Sequence, residues 1–327
     1  MRVLVTGGAG YIGSHTVRLL QANGHEVWVY DNLAQGHRAS VPADRLIVAD
    51  LLEPARIDHA LVSRRIEAVV HFAAVALVGE SVTNPALYYR NNVIGSLNLL
   101  DQLRRHEVRR IVFSSTCATY GIPKKVPIDE DEPQAPINPY GNTKLVVEKA
   151  LMDHASAYGL GVGILRYFNA AGASPKGDIG EDHDPESHLI PLVIAAALGR
   201  QPAIQVFGDD YPTPDGTCVR DYIHVDDLAS AHLLALEKLT PGKVLVCNLG
   251  TGQGHSVREV IRAVEAVSGR KVPVQVGPRR AGDPPVLVAA AATAERELGW
   301  NPRYRNLEEI VKTAWDWHLA HPHGYDD

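Results

Sequence analysis

The chain has 327 residues, of which 45% are hydrophobic and 21% charged, enough for two domains or one large α/β unit with a sizeable core. Its formal net charge of -6 argues against nucleic-acid or anionic-lipid partners and favours small molecules or other chains. No stretch approaches about 18 consecutive apolar residues, and a strand pattern begins at once. We therefore predict no membrane span and no signal peptide, and we expect a cytoplasmic protein.

The three cysteines, Cys117, Cys218 and Cys247, are scattered and have no C-x-x-C spacing. This pattern predicts free thiols and neither a disulfide framework nor a zinc site. The acidic run at residues 129–132 lies among prolines and is interpreted as a solvated loop. The sequence thus predicts no metal site.

A glycine-rich segment follows the apolar run at residues 3–5 and precedes a helical pattern at residues 14–22. Gly7, Gly10 and Gly13 have the spacing of a tight strand-to-helix turn that lets the backbone approach a pyrophosphate. The start of the helix then offers free N–H groups and a positive dipole end to the phosphates. Alone, such a string could be a bare tight turn, but its context favours a dinucleotide site.

Asp31 ends the second predicted strand, about twenty residues after the glycines, where an acidic side chain accepts hydrogen bonds from adenosine ribose hydroxyls. A carboxylate there would repel a 2′-phosphate, and Asn32 and Leu33 follow it rather than an arginine. Asp31 therefore favours NAD over NADP, against the alternative of a solvated residue at a strand end.

Strand patterns at residues 2–5, 26–30, 45–48, 68–72 and 110–114 alternate with helical stretches. This rhythm predicts an α/β fold, a Rossmann-like doubly wound parallel sheet, with a smaller, discontinuous C-terminal α/β substrate lobe. We expect the NAD-binding domain over residues 1–170, with segments near 220–255 returning to it, because 222–225 and 244–249 are again buried-strand patterns. The substrate lobe is expected mainly over residues 171–327.

Tyr140 and Lys144 lie four residues apart at the start of a helical pattern that continues to residue 158, so they share one helix face. An ammonium near a phenol favours the phenolate, which predicts a lowered phenol pKa and a general base. A Tyr-x-x-x-Lys spacing alone is also common in surface helices. The segment Ser114-Ser115-Thr116 follows the fifth strand and so lies at the carboxyl edge of the sheet, where open α/β folds bind ligands. Thr116 could share the substrate proton with Tyr140.

With these residues in view, the chain resembles the extended short-chain dehydrogenase/reductase superfamily and, within it, the UDP-glucose 4-epimerase family. The resemblance runs nearly from end to end. Its strings are GGAGYIGSHTV at 7–17, DNL at 31–33, VGES at 78–81, NNV at 91–93, YGNTK at 140–144, RYFNAAGA at 166–173, the segment 207–225, and RRAGD at 279–283.

The resemblance implies three groups of site residues. The catalytic group is Thr116, Tyr140 and Lys144. The NAD group is Gly7, Gly10, Tyr11, Ile12, Gly13, Asp31, Asn32, Leu33, Asp50, Leu51, Phe72, Ala73, Ala74, Asn91, Ser114, Tyr140, Lys144 and Tyr167. The UDP-sugar group is Thr116, Phe168, Asn169, His188, Leu189, Phe207, Arg220, Arg279, Asp283 and Leu287.

The residues themselves agree with the last group, because a diphosphate bound by an acidic protein requires specific cations, and the planar fork of arginine suits phosphate oxygens. Arg220 and Arg279 are the strongest candidates, although either could be an ordinary surface ion pair. Phe207 could stack on the uracil or belong to the core.

The implied reaction is hydride abstraction from C4 of the sugar by tightly held NAD, with Tyr140 taking the hydroxyl proton. The 4-keto sugar then turns over in the pocket, and hydride and proton return to the opposite face, so that UDP-galactose and UDP-glucose interconvert. One position departs from the family pattern, and another leaves the sugar specificity open. Ala76 stands where some members have a cofactor-binding lysine, and Leu287 is intermediate between the large and small residues that exclude or admit N-acetylated sugars.

Several alternatives remain at this point. Another UDP-sugar, namely UDP-GlcNAc, UDP-glucuronate or UDP-arabinose, could be the substrate of a 4-epimerase. A 4,6-dehydratase would carry an Asp-Glu pair after the catalytic threonine, where this chain has Cys117 and Ala118. A non-catalytic NAD-binding sensor could share the fold. The resemblance also implies a homodimer formed by helices near residues 92–105 and 140–158.

Overall fold

The structure, a computed structural model, describes residues 1–280 and 283–326, so Ala281 and Gly282 of the RRAGD string, and Asp327, lie outside the described residues. In chain order the strands are β1 (Arg2–Thr6), β2 (Glu26–Asp31), β3 (Leu46–Val48), β4 (Ala68–His71), β5 (Arg110–Thr116), β6 (Gly161–Tyr167), β7 (Asn169–Ala171), β8 (Ile204–Phe207), β9 (Val219–His224), β10 (Val244–Leu249), β11 (Gly254–Ser256), β12 (Val274–Gly277) and β13 (Val286–Leu287).

The α-helices are α1 (Tyr11–Ala22), α2 (Pro54–Ser63), α3 (Val78–Thr83), α4 (Pro85–Tyr88), α5 (Gly95–Arg105), α6 (Pro139–Tyr158), α7 (Leu189–Ala197), α8 (Val225–Lys238), α9 (Val257–Ser268), α10 (Ala292–Leu298) and α11 (Leu307–Ala320). A π-helical segment, Tyr89–Ile94, joins α4 to α5. Within the described ranges, no helix is both long enough and apolar enough to cross a membrane.

Seven parallel strands form the main sheet in the order β10-β6-β5-β4-β1-β2-β3. The central strands β1, β4 and β5 are almost entirely buried because helices cover both faces of the sheet, as the continuous apolar runs predict. The Rossmann-like α/β class is confirmed, and all five strand patterns expected in the first half of the chain form strands of this sheet.

The two later strand patterns have different fates. The segment at 244–249 forms β10 and pairs with β6 in the main sheet, as expected. The expectation that 222–225 also returns to that sheet is wrong, because β9 pairs with β7, β11 and β13 in a smaller sheet. The pattern predicted burial correctly, since α8 and α11 pack against β9, but burial does not specify which sheet a strand joins. The domain division at residue 170 remains a prediction.

Helix α6 begins where the sequence supplies a cap and a proline. The side chain of Asn138 accepts a hydrogen bond from the Gly141 N–H at 2.8 Å, and Pro139 occupies the first turn, where its missing N–H costs nothing. The helix ends at Gly159, whose φ of 67° is the left-handed conformation that favours glycine. These boundaries place Tyr140, Lys144 and Glu148 on one face of α6, toward the sheet.

A buried polar network lies beneath that face. The carboxylate of Glu148, 3% exposed, accepts from Arg166 Nη2 at 2.6 Å and from the Ser115 hydroxyl. Arg166 Nη1 donates to the Tyr120 hydroxyl at 2.8 Å, which in turn donates to Asn248 Oδ1 at 2.7 Å. The network therefore connects α6 with β5, β6 and β10.

We expect Arg166→Met to destabilise the protein by about 3–5 kcal/mol, because it leaves the Glu148 carboxylate buried without its cation. Adding Glu148→Gln should recover part of this loss by removing the unpaired charge. Urea unfolding of both variants tests this. The matched control is Arg109→Met, which removes an ion pair whose side chains are 50% and 76% exposed and which should cost at most about 1 kcal/mol. Equal losses for Arg166→Met and the control would contradict the prediction.

Candidate active site

The turn between β1 and α1 needs glycine at two positions for steric reasons. Gly7 has φ +69°, and a Cβ there would lie 2.5 Å from the Ala73 backbone nitrogen. A Cβ on Gly13 would lie 2.2 Å from the Gly7 carbonyl oxygen. Among the described residues, no side chain caps α1 and no acidic residue occupies its first turn, so the N–H groups at its start are available to an anion.

Asp31 lies at the carboxyl end of β2, beside this turn. Its two oxygens accept from the Ala9 and Leu33 N–H groups, each at 2.9 Å. Burial raises the pKa of Asp31, and these two hydrogen bonds oppose the rise. Each oxygen keeps further acceptor capacity, so the carboxylate is held in place and can still receive ribose hydroxyls.

The other predicted NAD residues lie at the same edge of the sheet. Asn32 donates to Asp50 Oδ2 at 2.8 Å, and the Phe72 and Ala73 N–H groups donate to the Thr6 carbonyl at 2.8 and 3.1 Å. Leu51 and Ala74 lie in the loops after β3 and β4, and Tyr11 and Ile12 begin α1. The edge thus presents a continuous row of the residues expected to line a dinucleotide.

Asn92, next to the predicted Asn91, is the residue that ties this row to the catalytic helix. It is buried, and its side chain accepts from the Val75 N–H at 2.9 Å and donates to the Val75 carbonyl at 3.0 Å and to the Thr143 hydroxyl at 3.1 Å. The NNV string indicated a functional asparagine at this position. The sequence alone does not show which of the two adjacent asparagines faces the interior.

The three predicted catalytic residues meet where β5 ends and α6 begins. Lys144 Nζ donates to the Ser114 carbonyl at 2.9 Å and lies 5.9 Å from the centre of the Tyr140 ring. The Ser114 and Tyr167 hydroxyls are 2.5 Å apart. Thr116 is the last residue of β5, and its hydroxyl accepts from the Ala118 N–H at 3.1 Å. The cluster is a set of hydroxyls and one amine beside the cofactor edge.

The electrostatics differ from the sequence prediction. Burial is the main cause that raises the pKa of Tyr140, the Tyr167 phenol adds to it, and hydrogen bonding with Thr116 opposes it only in part. Burial also lowers the pKa of Lys144 to about 7, against the attraction of Glu148. The prediction of a lowered phenol pKa is therefore wrong, since a lysine that is itself desolvated is a weak source of positive charge.

The predicted diphosphate arginines are both paired with carboxylates. The Arg220 side chain, 13% exposed, contacts Asp283 Oδ1, and Cys218 Sγ lies 3.7 Å from Asp283 Oδ2. The Arg279 side chain, 43% exposed, donates to Asp210 Oδ1 at 2.6 Å. An incoming diphosphate would have to compete with these carboxylates for the two guanidinium groups.

Aromatic rings flank the arginines. The Arg279 guanidinium lies 4.3 Å from the centre of the Tyr211 ring, and the Arg280 guanidinium lies 4.0 Å from the centre of the Phe207 ring. Phe207 is part exposed rather than core, but one of its faces is covered by Arg280. The sequence reasoning missed Tyr211 and Arg280, because contacts between distant segments leave no local spacing.

The remaining predicted substrate residues are divided between two regions. Asn169 donates to the Asp221 carbonyl at 3.2 Å, while Phe168 and Leu287 contact a small buried cluster with Tyr120 and Ile128. His188 and Leu189 lie at the start of α7. His188 contacts Glu181 and Glu186, at 2.8 and 3.1 Å from its Nδ1.

The model of the NAD dependent epimerase/dehydratase family matches residues 3–250 of this chain. The chain belongs to that family. A UDP-glucose 4-epimerase of Halalkalibacterium halodurans is 52% identical over 99% of this chain and 98% of its own length. The family resemblance found in the sequence is confirmed.

Solved structures agree at the level of the fold. The UDP-glucose 4-epimerase of Brucella ovis in complex with NAD has a TM-score of 0.93 and 52% identity, over 96% of this chain and 97% of that one. The UDP-glucose 4-epimerase of Bifidobacterium longum in complex with NAD⁺ and UDP has a TM-score of 0.94 and 39% identity, over 99% of this chain and 100% of that one.

We expect Gly13→Ala to abolish NAD binding, because its Cβ would lie 2.2 Å from the Gly7 carbonyl oxygen and force the turn open. NAD binding is measured by isothermal titration of the protein stripped of nucleotide. The control is Gly79→Ala in α3, where a Cβ would meet no atom within 4 Å. Wild-type NAD affinity in Gly13→Ala would show that the turn is not the phosphate-binding element.

The shifted pKa of Lys144 predicts a pH-dependent stability. In the folded chain this pKa is about 7, against an ordinary value of 10.5, so between those values the unfolded chain binds a proton that the folded chain does not. As the pH falls from about 10 to 7, the wild type should lose about 1.4 kcal/mol per pH unit relative to Lys144→Met, with no further loss below 7.

Urea unfolding of the two nucleotide-free proteins at several pH values measures this difference. The control is Lys149→Met, which replaces an exposed lysine of the same helix and should give a constant difference. A constant difference for Lys144→Met as well would mean that Lys144 stays charged in the folded chain.

Proposed function

We propose that this protein is an NAD-dependent 4-epimerase that interconverts UDP-galactose and UDP-glucose through a transient 4-keto sugar. The observation that carries the proposal is the meeting of Thr116, Tyr140 and Lys144 at the sheet edge that also carries the glycine turn and Asp31. The membership of the epimerase family supports the same reaction.

The residues present fit NAD by shape and by charge. The glycines at positions 7 and 13 permit a tight turn that a Cβ would force apart, the start of α1 offers N–H groups to the pyrophosphate, and Asp31 would hold the adenosine ribose. Lys144, fixed by the Ser114 carbonyl, would hold the nicotinamide ribose. NAD would supply the hydride acceptor for C4 and return the same hydride.

Tyr140 is the group we assign to the proton at the sugar 4-hydroxyl, with Thr116 as its hydrogen-bonding partner. Burial raises the pKa of Tyr140, and hydrogen bonding with Thr116 opposes this rise. Positive charge brought next to Tyr140 and Lys144 on binding would favour the phenolate.

The UDP moiety is assigned to Arg220, Arg279 and the ring of Phe207, at the site where carboxylates now neutralise both arginines. Remote binding energy from a diphosphate can hold the nucleotide while the sugar has few rigid contacts. That combination would permit the 4-keto sugar to rotate and receive hydride on its other face.

The competing reactions find less support. Cys117 and Ala118 follow Thr116, and burial raises the pKa of Cys117 to about 12, so this thiol is a poor acid–base group for expelling the 6-hydroxyl in a dehydratase. A sensor would not need Thr116, Tyr140 and Lys144 together. Leu287 pairs with Arg220 across β13 and β9. Its side chain is intermediate in size, so N-acetylated, uronate and pentose UDP-sugars are further substrates to test.

We also propose a cytoplasmic homodimer in which α5 and α6 pair with their symmetry mates. Its support is an apolar surface on and next to these helices, where Ile94, Leu97, Val146 and Met152 are 40–49% exposed. Side chains of this kind gain most from burial against a second copy.

The proposal is tested by incubating the purified protein with UDP-galactose, without added NAD, and separating the products by chromatography. Wild-type protein should form UDP-glucose and no 4-keto-6-deoxy sugar, which would show that retained NAD suffices although position 76 is alanine. Tyr140→Phe should lower kcat by about 10²–10⁴-fold, because it removes the proton-transferring group.

Tyr158→Phe is the control, because this exposed tyrosine ends the same helix and should keep wild-type kcat. Product from none of the UDP-hexoses, even after NAD is added, would reject the proposal. A UDP-uronate or UDP-pentose epimerase, or a sensor, would then become the leading hypothesis.

A further inference from the structure

Four side chains in the loop between β7 and α7 converge beside the site described above, and one of them, His188, is also among the predicted substrate residues. They come from the segment Glu181-Asp182-His183-Asp184-Pro185-Glu186-Ser187-His188, and one ligand atom of each of Glu181, His183, Glu186 and His188 lies within 4.8 Å of all the others. The sequence reasoning predicted no metal site because it searched for cysteine spacings and acidic runs. The E-x-H-x-x-E-x-H spacing was the signal that it did not use.

The four histidine–glutamate separations are close to those between ligands of a small cation. His183 Nδ1 lies 3.4 Å from Glu181 Oε1 and 3.6 Å from Glu186 Oε2, and His188 Nδ1 lies 2.8 and 3.1 Å from oxygens of the same two residues. Ligands about 2.0–2.1 Å from a tetrahedral Zn²⁺ are about 3.3 Å from one another. The four measured separations lie on both sides of that value.

The burial of these polar atoms is a further observation. Glu181 is 3% exposed, and its Oε1, like His183 Nδ1, is buried without a hydrogen-bond partner among the described residues. His188 Nδ1, at 2.8 Å, and His183 Nδ1, at 3.4 Å, face this oxygen as ion-pair partners rather than through well-directed hydrogen bonds. A buried carboxylate needs positive charge beside it, and a metal ion bound by both imidazoles would supply that charge.

We propose that Glu181, His183, Glu186 and His188 form a structural site for one divalent transition-metal cation, with Zn²⁺ as the best fit. Two imidazole nitrogens and two carboxylate oxygens are ligands that zinc accepts, and two carboxylates balance the charge of one divalent ion. Magnesium, which prefers oxygen ligands and octahedral geometry, does not fit this set.

The position of the cluster indicates what the cation would do. The loop contacts the cofactor side through the Tyr11 hydroxyl, which donates to the Gly172 carbonyl at 2.6 Å, and the C-terminal segment through Trp317 Nε1, which donates to the Glu181 carbonyl at 3.0 Å. His188 precedes α7. A cation would therefore fix the loop between the glycine turn and the start of α7.

The test uses the full chain without a polyhistidine tag, stripped with a chelator and then titrated with Zn²⁺ against a chromophoric competitor. We expect one zinc per chain and a higher thermal midpoint with Zn²⁺ but not with Mg²⁺. His183→Ala and Glu181→Gln should each weaken zinc binding by at least the about 10–100-fold that loss of an outer-shell partner costs.

His106→Ala is the matched control, because His106 pairs with one carboxylate, that of Asp58, at 2.7 Å and should keep wild-type zinc binding when lost. If Glu181→Gln does not fold, His183→Ala, whose ring is partly exposed, carries the test with circular dichroism as the fold check. Substoichiometric zinc with an unchanged midpoint, or wild-type affinity in His183→Ala, would overturn the proposal. Neither readout requires a UDP-sugar, so the outcome is separate from that of the epimerase proposal.

Discussion

The arrangement of the site depends on the buried carboxylate of Glu148. It lies one helical turn after Lys144 on α6 and binds Arg166 of β6 and Ser115 of β5, so one charge fixes the helix against the two strands whose ends carry Thr116 and Tyr167. A buried ion pair is a weak source of net stability, because desolvation offsets much of the attraction. Its value here is positional, since any slip of α6 along the sheet would leave an unpaired charge in the core.

Lys144, on the same face of α6, lowers the stability of the folded chain. A lysine buried so completely that its pKa falls to about 7 opposes folding, and the negative charge of Glu148 compensates only in part. A leucine or methionine would pack there with less penalty. The fold therefore retains a locally unfavourable amine at the point where proton and hydride chemistry is proposed, which is the usual relation between stability and an active site.

Much of this could be predicted from the sequence because the relevant signals are local. The glycine turn, Asp31 and the Tyr140–Lys144 spacing each depend on neighbours within one or two elements, and the strand patterns of the first half of the chain are unambiguous. The sheet joined by β9 could not be predicted, because an apolar strand has the same pattern in either sheet. The carboxylate partners of Arg220 and Arg279 join segments about 60–70 residues apart, and no spacing rule connects such distances. The prediction of a lowered Tyr140 pKa was wrong for a different reason. Desolvation depends on every group packed around the phenol, and the sequence does not show those groups.

The polar groups of the proposed substrate site are unevenly distributed, and this distribution bears on how one pocket could act on both faces of a sugar. The charged and aromatic groups, Arg220, Arg279 and Phe207, lie where the nucleotide is assigned, whereas the catalytic end offers the hydroxyls of Thr116 and Tyr140. Charge-assisted hydrogen bonds to a diphosphate are strong and directional, whereas neutral hydroxyl contacts are weaker and can be exchanged. A pocket built in this way holds one end of its ligand and leaves the other free to turn, so inversion at C4 needs no second set of catalytic groups.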